Sequence, residues 1–284
     1  MNANDADSVG LVQGPALSVT PPANEPLPER MSVELTNRCS KGCAFCYNHS
    51  TRLGATLWQP AELETFIRDC AGHGVQAVSF GGGEPLEYDG VFTLIANLKG
   101  VLFRSLTTNG LLLSPDFEDR LAAAAPDKVH ISIHYPHLSR EVLRVRDQVA
   151  RLEARGIRSG VNLLVEPERV PESKAAVATL ADAGIGLDRI VLLPLRGASD
   201  PERQTSPRDI LEAAGGKRFQ SMTCLRACQK SPRFCAVSWD RTAAWCSYTS
   251  ARARIETLDA SGLRRALTGL GLNFCGAASR EEFA

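Results

Sequence analysis

Residues 36–47 read Thr-Asn-Arg-Cys-Ser-Lys-Gly-Cys-Ala-Phe-Cys-Tyr, directly after a run in which Val33 and Leu35 face opposite Glu34 and Thr36. That alternation has the period of a strand, so Cys39, Cys43 and Cys46 sit in the loop that leaves it. Three thiolates at these spacings can wrap one face of a four-iron cubane, because a loop lets sulfurs converge where a rigid helix would disperse them. One iron is then left without a cysteine ligand and can accept a small bidentate ligand. A tetrahedral zinc site would instead need a fourth donor, for which His49 is the candidate.

Outward from this loop, strand-like and helix-like segments alternate. Strands are expected at 32–36, 75–80, 102–107, 128–134, 160–165 and 189–195, and helices near 60–71, 87–99, 115–124, 138–155 and 170–183. Pro60 suits a first helical turn, and Ser114-Pro115 supplies a cap followed by a preset turn. Such spacing implies parallel strands joined by right-handed crossovers. Six of them can curve into a partial barrel or lie in a doubly wound sheet, and periodicity leaves both open.

A second motif follows the second strand, where Phe80 leads into Gly81-Gly82-Gly83-Glu84-Pro85. Glycines at a strand exit permit close backbone approach, and Glu84 offers a carboxylate for an ammonium group. Read alone, the segment is also compatible with a tight turn. With the cysteine spacing one strand earlier, it resembles the radical S-adenosylmethionine superfamily, in which an aromatic such as Phe45 precedes the last cysteine.

The resemblance covers about residues 32–197. It implies an α/β fold, a partial (β/α)6 TIM-like barrel, with S-adenosylmethionine chelating a catalytic [4Fe-4S] cluster on Cys39, Cys43 and Cys46. One electron then yields methionine and a 5′-deoxyadenosyl radical that abstracts hydrogen. Cofactor contacts implied by position are Phe45, Gly82, Gly83 and Glu84. Asn109, Ser132 and Asn162 join them at strand ends, with Leu193 beside adenine and Arg196 facing a carboxylate. His134 and Tyr135 lie nearby. For each polar residue, a role in ending a strand or binding backbone is the structural alternative.

Nine cysteines occur at 39, 43, 46, 70, 224, 228, 235, 246 and 275. An odd number in a chain of this size argues for metal or catalytic use over a secreted disulfide framework. Leu63, Phe66, Ile67 and Cys70 recur at helical intervals, which assigns Cys70 to a core face. The late cysteines flank a hairpin expected at 234–239 and 243–248, with Asp240-Arg241 at the reversal, and a last helix near 260–267. This part resembles the twitch form of the SPASM extension, although Arg241 stands where that pattern has glycine. By that resemblance Cys224, Cys228, Cys246 and Cys275 hold one auxiliary [4Fe-4S] cluster and Cys235 is left over. Exchange of Cys224 for Cys235 and a structural zinc site remain open readings. The resulting division is a flexible tail at 1–30, the barrel at 31–200 and the auxiliary domain at 201–284.

The chain has 284 residues, with 32 basic and 32 acidic side chains, and this balance argues against a nucleic-acid or anionic-lipid partner. No apolar run is long enough to span a bilayer, and a cytoplasmic location is expected. Family analogy suggests a small polar substrate and a reducing partner such as flavodoxin or ferredoxin. The surplus Cys235, as a hydrogen donor to a substrate radical, favours epimerisation of an amino sugar or cyclitol in secondary metabolism. Dehydrogenation of an alcohol by an oxidoreductase and modification of a ribosomal peptide are the enzymatic alternatives; an iron-sulfur sensor is the non-enzymatic one.

Overall fold

The computed structural model describes residues 26–196, 204–221 and 233–270. The expected flexible tail lies mostly outside these residues. Contacts begin before Ser32, since Leu27 is buried and its N–H donates to the His73 carbonyl at 3.0 Å.

Six strand–helix units follow one another. The strands are β1 (Arg30–Thr36), β2 (Ala77–Gly82), β3 (Phe103–Thr108), β4 (Lys128–Ile133), β5 (Ser159–Val165) and β6 (Ile190–Pro194). Between them run α1 (Pro60–Gly72), α2 (Val91–Asn97), α3 (Pro115–Ala124), α4 (Ser139–Ala154) and α5 (Val170–Asp182). All six strands pair in parallel and in sequential order. A doubly wound sheet reverses its strand order at a switch point; this sheet does not, and the fold is the α/β partial barrel.

Local chemistry explains the boundaries. Ser114 accepts from the Phe117 N–H at 3.4 Å ahead of Pro115, and α3 ends at Ala125 in the left-handed region. Helix α2 is shorter than expected because Pro85–Glu87 forms a separate 3-10 turn and Gly90, at φ 87°, breaks the chain before Val91. A short helix escaped the sequence reading: α6 (Pro207–Ala213), opened by a reciprocal capping box between Ser206 and Asp209.

Strand pleat sorts the side chains. Met31, Val33 and Leu35 join the apolar core shared with the helices, while Ser32 opens to the barrel interior. The same parity places Ser79, Thr107, Ser132, Asn162 and Leu193 on the inside.

The C-terminal part is continuous with this sheet. Strand β7 (Gln220–Ser221) pairs with β6, and β8 (Phe234–Val237) pairs in parallel with β1, aligning Met31 with Cys235. Strand β9 (Thr242–Ala244) completes the expected hairpin, with Arg241 at φ 64° in the reversal, and β10 (Ala253–Arg254) pairs with β9. The last helix, α7 (Ala260–Leu267), packs against α1 and β9. Thus the hairpin expected to belong to a separate unit is built as a wall of the barrel sheet.

Candidate active site

The loop after β1 is held by its own backbone. Cys39 N–H donates to the Thr51 carbonyl at 2.8 Å, Thr51 N–H to Asn37 at 3.0 Å, and Asn37 N–H to Ala55 at 3.0 Å. Gly42, at φ 63°, reverses the chain between the first two cysteines. Cys39, Cys43 and Cys46 are half-buried and face one cavity of about 330 Å³, within the range of small-molecule sites. Among the described residues no trio of His, Cys, Asp or Glu side chains meets the geometry of a single ion. Cubane ligands bind separate irons, so they need to face one space rather than one point.

The glycine segment packs directly beneath this loop. Gly83 N–H donates to the Thr36 carbonyl at 2.6 Å and Glu84 N–H to the Arg38 carbonyl at 2.8 Å. A Cβ on Gly83 would lie 2.1 Å from the Arg38 carbonyl oxygen, and one on Gly82 would lie 2.7 Å from that of Thr36. Gly81 has open space at the same position. Gly81, Gly82 and Gly83 line the cavity.

Glu84 behaves differently from the sequence expectation. It is 1% exposed and does not line the cavity. Its Oε1 accepts from Leu86 N–H at 3.1 Å and from the Thr108 hydroxyl at 2.7 Å, and its Oε2 accepts from Asn109 N–H at 2.8 Å. Burial pushes its pKa up to about 7 against the opposing pull of these donors. The carboxylate therefore clamps the exit of β3, and its contacts are to Leu86, Thr108 and Asn109 rather than to the cavity where the sequence placed an ammonium partner.

The remaining strand-end residues do converge. Phe45, Asn109, Ser132, Asn162, Leu193 and Arg196 all line the cavity. Asn109 Nδ2 lies 3.7 Å from Cys39 Sγ. Asn162 Oδ1 is 2.8 Å from His130 Nδ1, which leaves its amide nitrogen for the cavity. Arg196 Nε is buried without a partner among the described residues.

One feature of the wall escaped the sequence reading. Lys41, between the first two cysteines, reaches Glu141 Oε1 at 2.6 Å and His134 Nδ1 at 2.8 Å. An ammonium has no lone pair to offer, so Nδ1 must accept and the His134 proton sits on Nε2. Burial, with the Lys41 charge, pushes the His134 pKa down to about 3. The ring is thus a neutral donor lining the cavity. Lys41 was legible as a cation beside the thiolates, but nothing local connects it to Glu141, 100 residues away.

The late cysteines divide. Cys224, Cys228 and Cys275 lie outside the described residues. Cys246 is half-buried just after β9, and Ser247 and Tyr248 beyond it line the cavity, with Tyr248 against Tyr47 at 5.0 Å between ring centroids. Cys235 is fully buried, its pKa pushed up to about 12 by burial. It aligns with Met31 on the helix-facing side of the sheet, while its neighbour Phe234 lines the cavity. Strand parity thus turns Cys235 away from the cavity, against its role as a hydrogen donor to a bound substrate, while its exchange with Cys224 as an auxiliary ligand rests on residues outside those described.

A family model described as the radical SAM superfamily matches residues 33–203. A probable GTP 3′,8-cyclase of Methanopyrus kandleri is 31% identical over 194 residues, covering 64% of this chain and 62% of that protein. A GTP 3′,8-cyclase of Heliobacterium modesticaldum is 36% identical over 126 residues, covering 40% and 37%. The chain therefore spans less than two thirds of these relatives. Among solved structures, Streptococcus suis SuiB bound to S-adenosylmethionine superposes with a TM-score of 0.62 at 15% identity, covering 78% of this chain and 60% of that one. The protein anSMEcpe with bound AdoMet gives 0.65 at 13%, covering 84% and 82%. At these identities the two structures share the fold. The relatives' names overturn the expected epimerisation of an amino sugar or cyclitol, and lend no support to an oxidoreductase or to secondary metabolism. No described helix is long and apolar enough to cross a membrane.

Proposed function

The chain belongs to the radical SAM superfamily, and from that premise we propose that it catalyses a radical ring closure on a purine nucleotide, of the kind for which its GTP 3′,8-cyclase relatives are named. The observation that carries the site assignment is the convergence of Cys39, Cys43, Cys46 and Arg196 on one cavity floored by Gly81, Gly82 and Gly83.

The donor set fits an iron-sulfur cluster with S-adenosylmethionine beside it: three sulfurs of one loop face the same space, the glycine floor leaves room for close approach, and Arg196 has an unpartnered buried Nε. When bound, the cluster supplies the electron and the open iron with which S-adenosylmethionine becomes methionine and a 5′-deoxyadenosyl radical. This chain's residues hold the reactants. Arg196 offers a charge-assisted bond to a carboxylate or phosphate. Lys41 is neutralised by Glu141 and fixes the His134 ring, whose Nε2–H serves a carbonyl or hydroxyl oxygen. Ser132 and the Asn162 amide offer further bonds around a ribose, and Phe45 supplies an apolar face.

Cys246 fits a second cluster shared with Cys224, Cys228 and Cys275, because its turn reaches the cavity rim through Ser247 and Tyr248. A flavodoxin or ferredoxin would supply the electron.

The test is anaerobic turnover with S-adenosylmethionine, dithionite and GTP deuterated at the ribose 3′ position. Deuterium in 5′-deoxyadenosine and a cyclised nucleotide are expected. Cofactor cleavage that ignores GTP would sink the nucleotide assignment and leave the superfamily chemistry standing.

A further inference from the structure

We propose that Glu84 and Asn109 form a positioning relay that sets the reduction potential of the catalytic cluster through an N–H···S hydrogen bond to Cys39. The inference rests on Cys39 being a cluster ligand, as in the reading above.

Asn109 is held at three points besides its contact with sulfur. Its backbone N–H is fixed by Glu84 Oε2 at 2.8 Å, its carbonyl accepts from Arg144 Nη2 at 3.2 Å, and its side-chain Oδ1 accepts from Leu111 N–H at 2.8 Å. The last bond decides the amide's orientation. A backbone N–H can only donate, so Oδ1 must face Leu111 and Nδ2 must face Cys39 Sγ, at 3.7 Å. Asn109 is buried at 5% exposure, which holds its amide in place beside the half-buried Cys39.

Glu84 in turn is fixed at both oxygens. Leu86 N–H and the Thr108 hydroxyl occupy Oε1, and Thr108 Oγ1 also accepts from Gly110 N–H at 3.0 Å. The glycine segment thus reaches the cluster through the exit of β3 rather than through a carboxylate in the cavity. Reduction adds negative charge that is shared with the ligand sulfurs, and a donor at one sulfur stabilises the reduced form more than the oxidised one. The relay therefore raises the potential and eases the electron transfer that every turnover requires.

The experiment is an EPR-monitored redox titration of the anaerobically reconstituted full chain, with iron content and thermal unfolding measured on the same samples. Asn109→Asp keeps the acceptor for Leu111 N–H but removes the donor to sulfur. Asn109→Leu removes the donor without adding charge. Both are expected to retain the cluster and be harder to reduce, by about three- to tenfold in the equilibrium constant, a tenfold change being 59 mV for one electron. Glu84→Gln places an amide where Asn109 N–H or Leu86 N–H donates, and should shift the potential in the same direction. An exchangeable-proton coupling to the reduced cluster should weaken in all three. Equal potentials in wild type and both Asn109 variants, at full iron content, would overturn the relay alone. Absence of a cluster in the wild type, or iron content unchanged by replacing Cys39, Cys43 and Cys46 together, would overturn the cluster assignment beneath it.

Discussion

The Ser238 hydroxyl donates to Glu34 Oε2 at 2.6 Å across 204 residues of chain. Glu34 points inward from β1, is 1% exposed and has its pKa raised by burial, while Arg252 Nη2 stands 3.6 Å from its other oxygen and Arg252 also contacts Ser238. The C-terminal hairpin therefore solvates a buried carboxylate of the first strand. Ser238→Ala should lower unfolding free energy by about 1–3 kcal/mol, the cost of leaving a buried acceptor unmet. Chemical denaturation checks this, and an unchanged midpoint would show that Arg252 suffices.

The glycine segment allows a paired test. Gly83→Ala would set a methyl against the Arg38 carbonyl and force the cysteine loop off its floor, whereas Gly81→Ala meets nothing. The first variant should lose iron on reconstitution and the second should keep it. Equal iron in both would mean that the loop can shift without losing its ligands.

Cys235→Ala removes a small apolar side chain from the layer between β8 and the helices. A loss of roughly 1–2 kcal/mol is expected, with cleavage of S-adenosylmethionine intact. Abolished cleavage at preserved stability would contradict its placement.

A pH dependence follows from His130, whose pKa burial and the Lys128 charge push down to about 4. Unfolding releases it toward 6.5, so the unfolded chain binds the extra proton between these values. Its contribution is complete above pH 6.5 and lost as pH falls toward 4, up to roughly 3 kcal/mol. His130→Gln should flatten the fall in stability between pH 7 and 4.5. His134, with its own depressed pKa, leaves a residual slope.

Much of this architecture was readable from the chain. Helix α3 was bounded to the residue because Ser114 and Pro115 mark its start by chemistry that acts within one turn. The loop cysteines and the glycine segment were legible because each motif is local. Strand β8 shows where local reading ends. Its arm was expected, but Cys235 and Val237 on one face and Phe234 and Ala236 on the other are all apolar, so alternation could not say which side met the helices. Its pairing with β1 and the Glu84 clamp depend on partners distant in sequence. The short α6 did carry a signal, the Ser206 and Asp209 capping pair, inside a stretch otherwise read as polar.

The parallel pairing of β8 with β1 also has a consequence during synthesis. The strand that covers the outer edge of β1 leaves the ribosome about 200 residues after the cysteine loop. At 5–20 residues per second the interval is roughly 10–40 s. Throughout it, β1 presents open hydrogen-bonding groups beside the three thiols, and the arrival of β8 is the step that closes this edge and fixes the wall of the barrel.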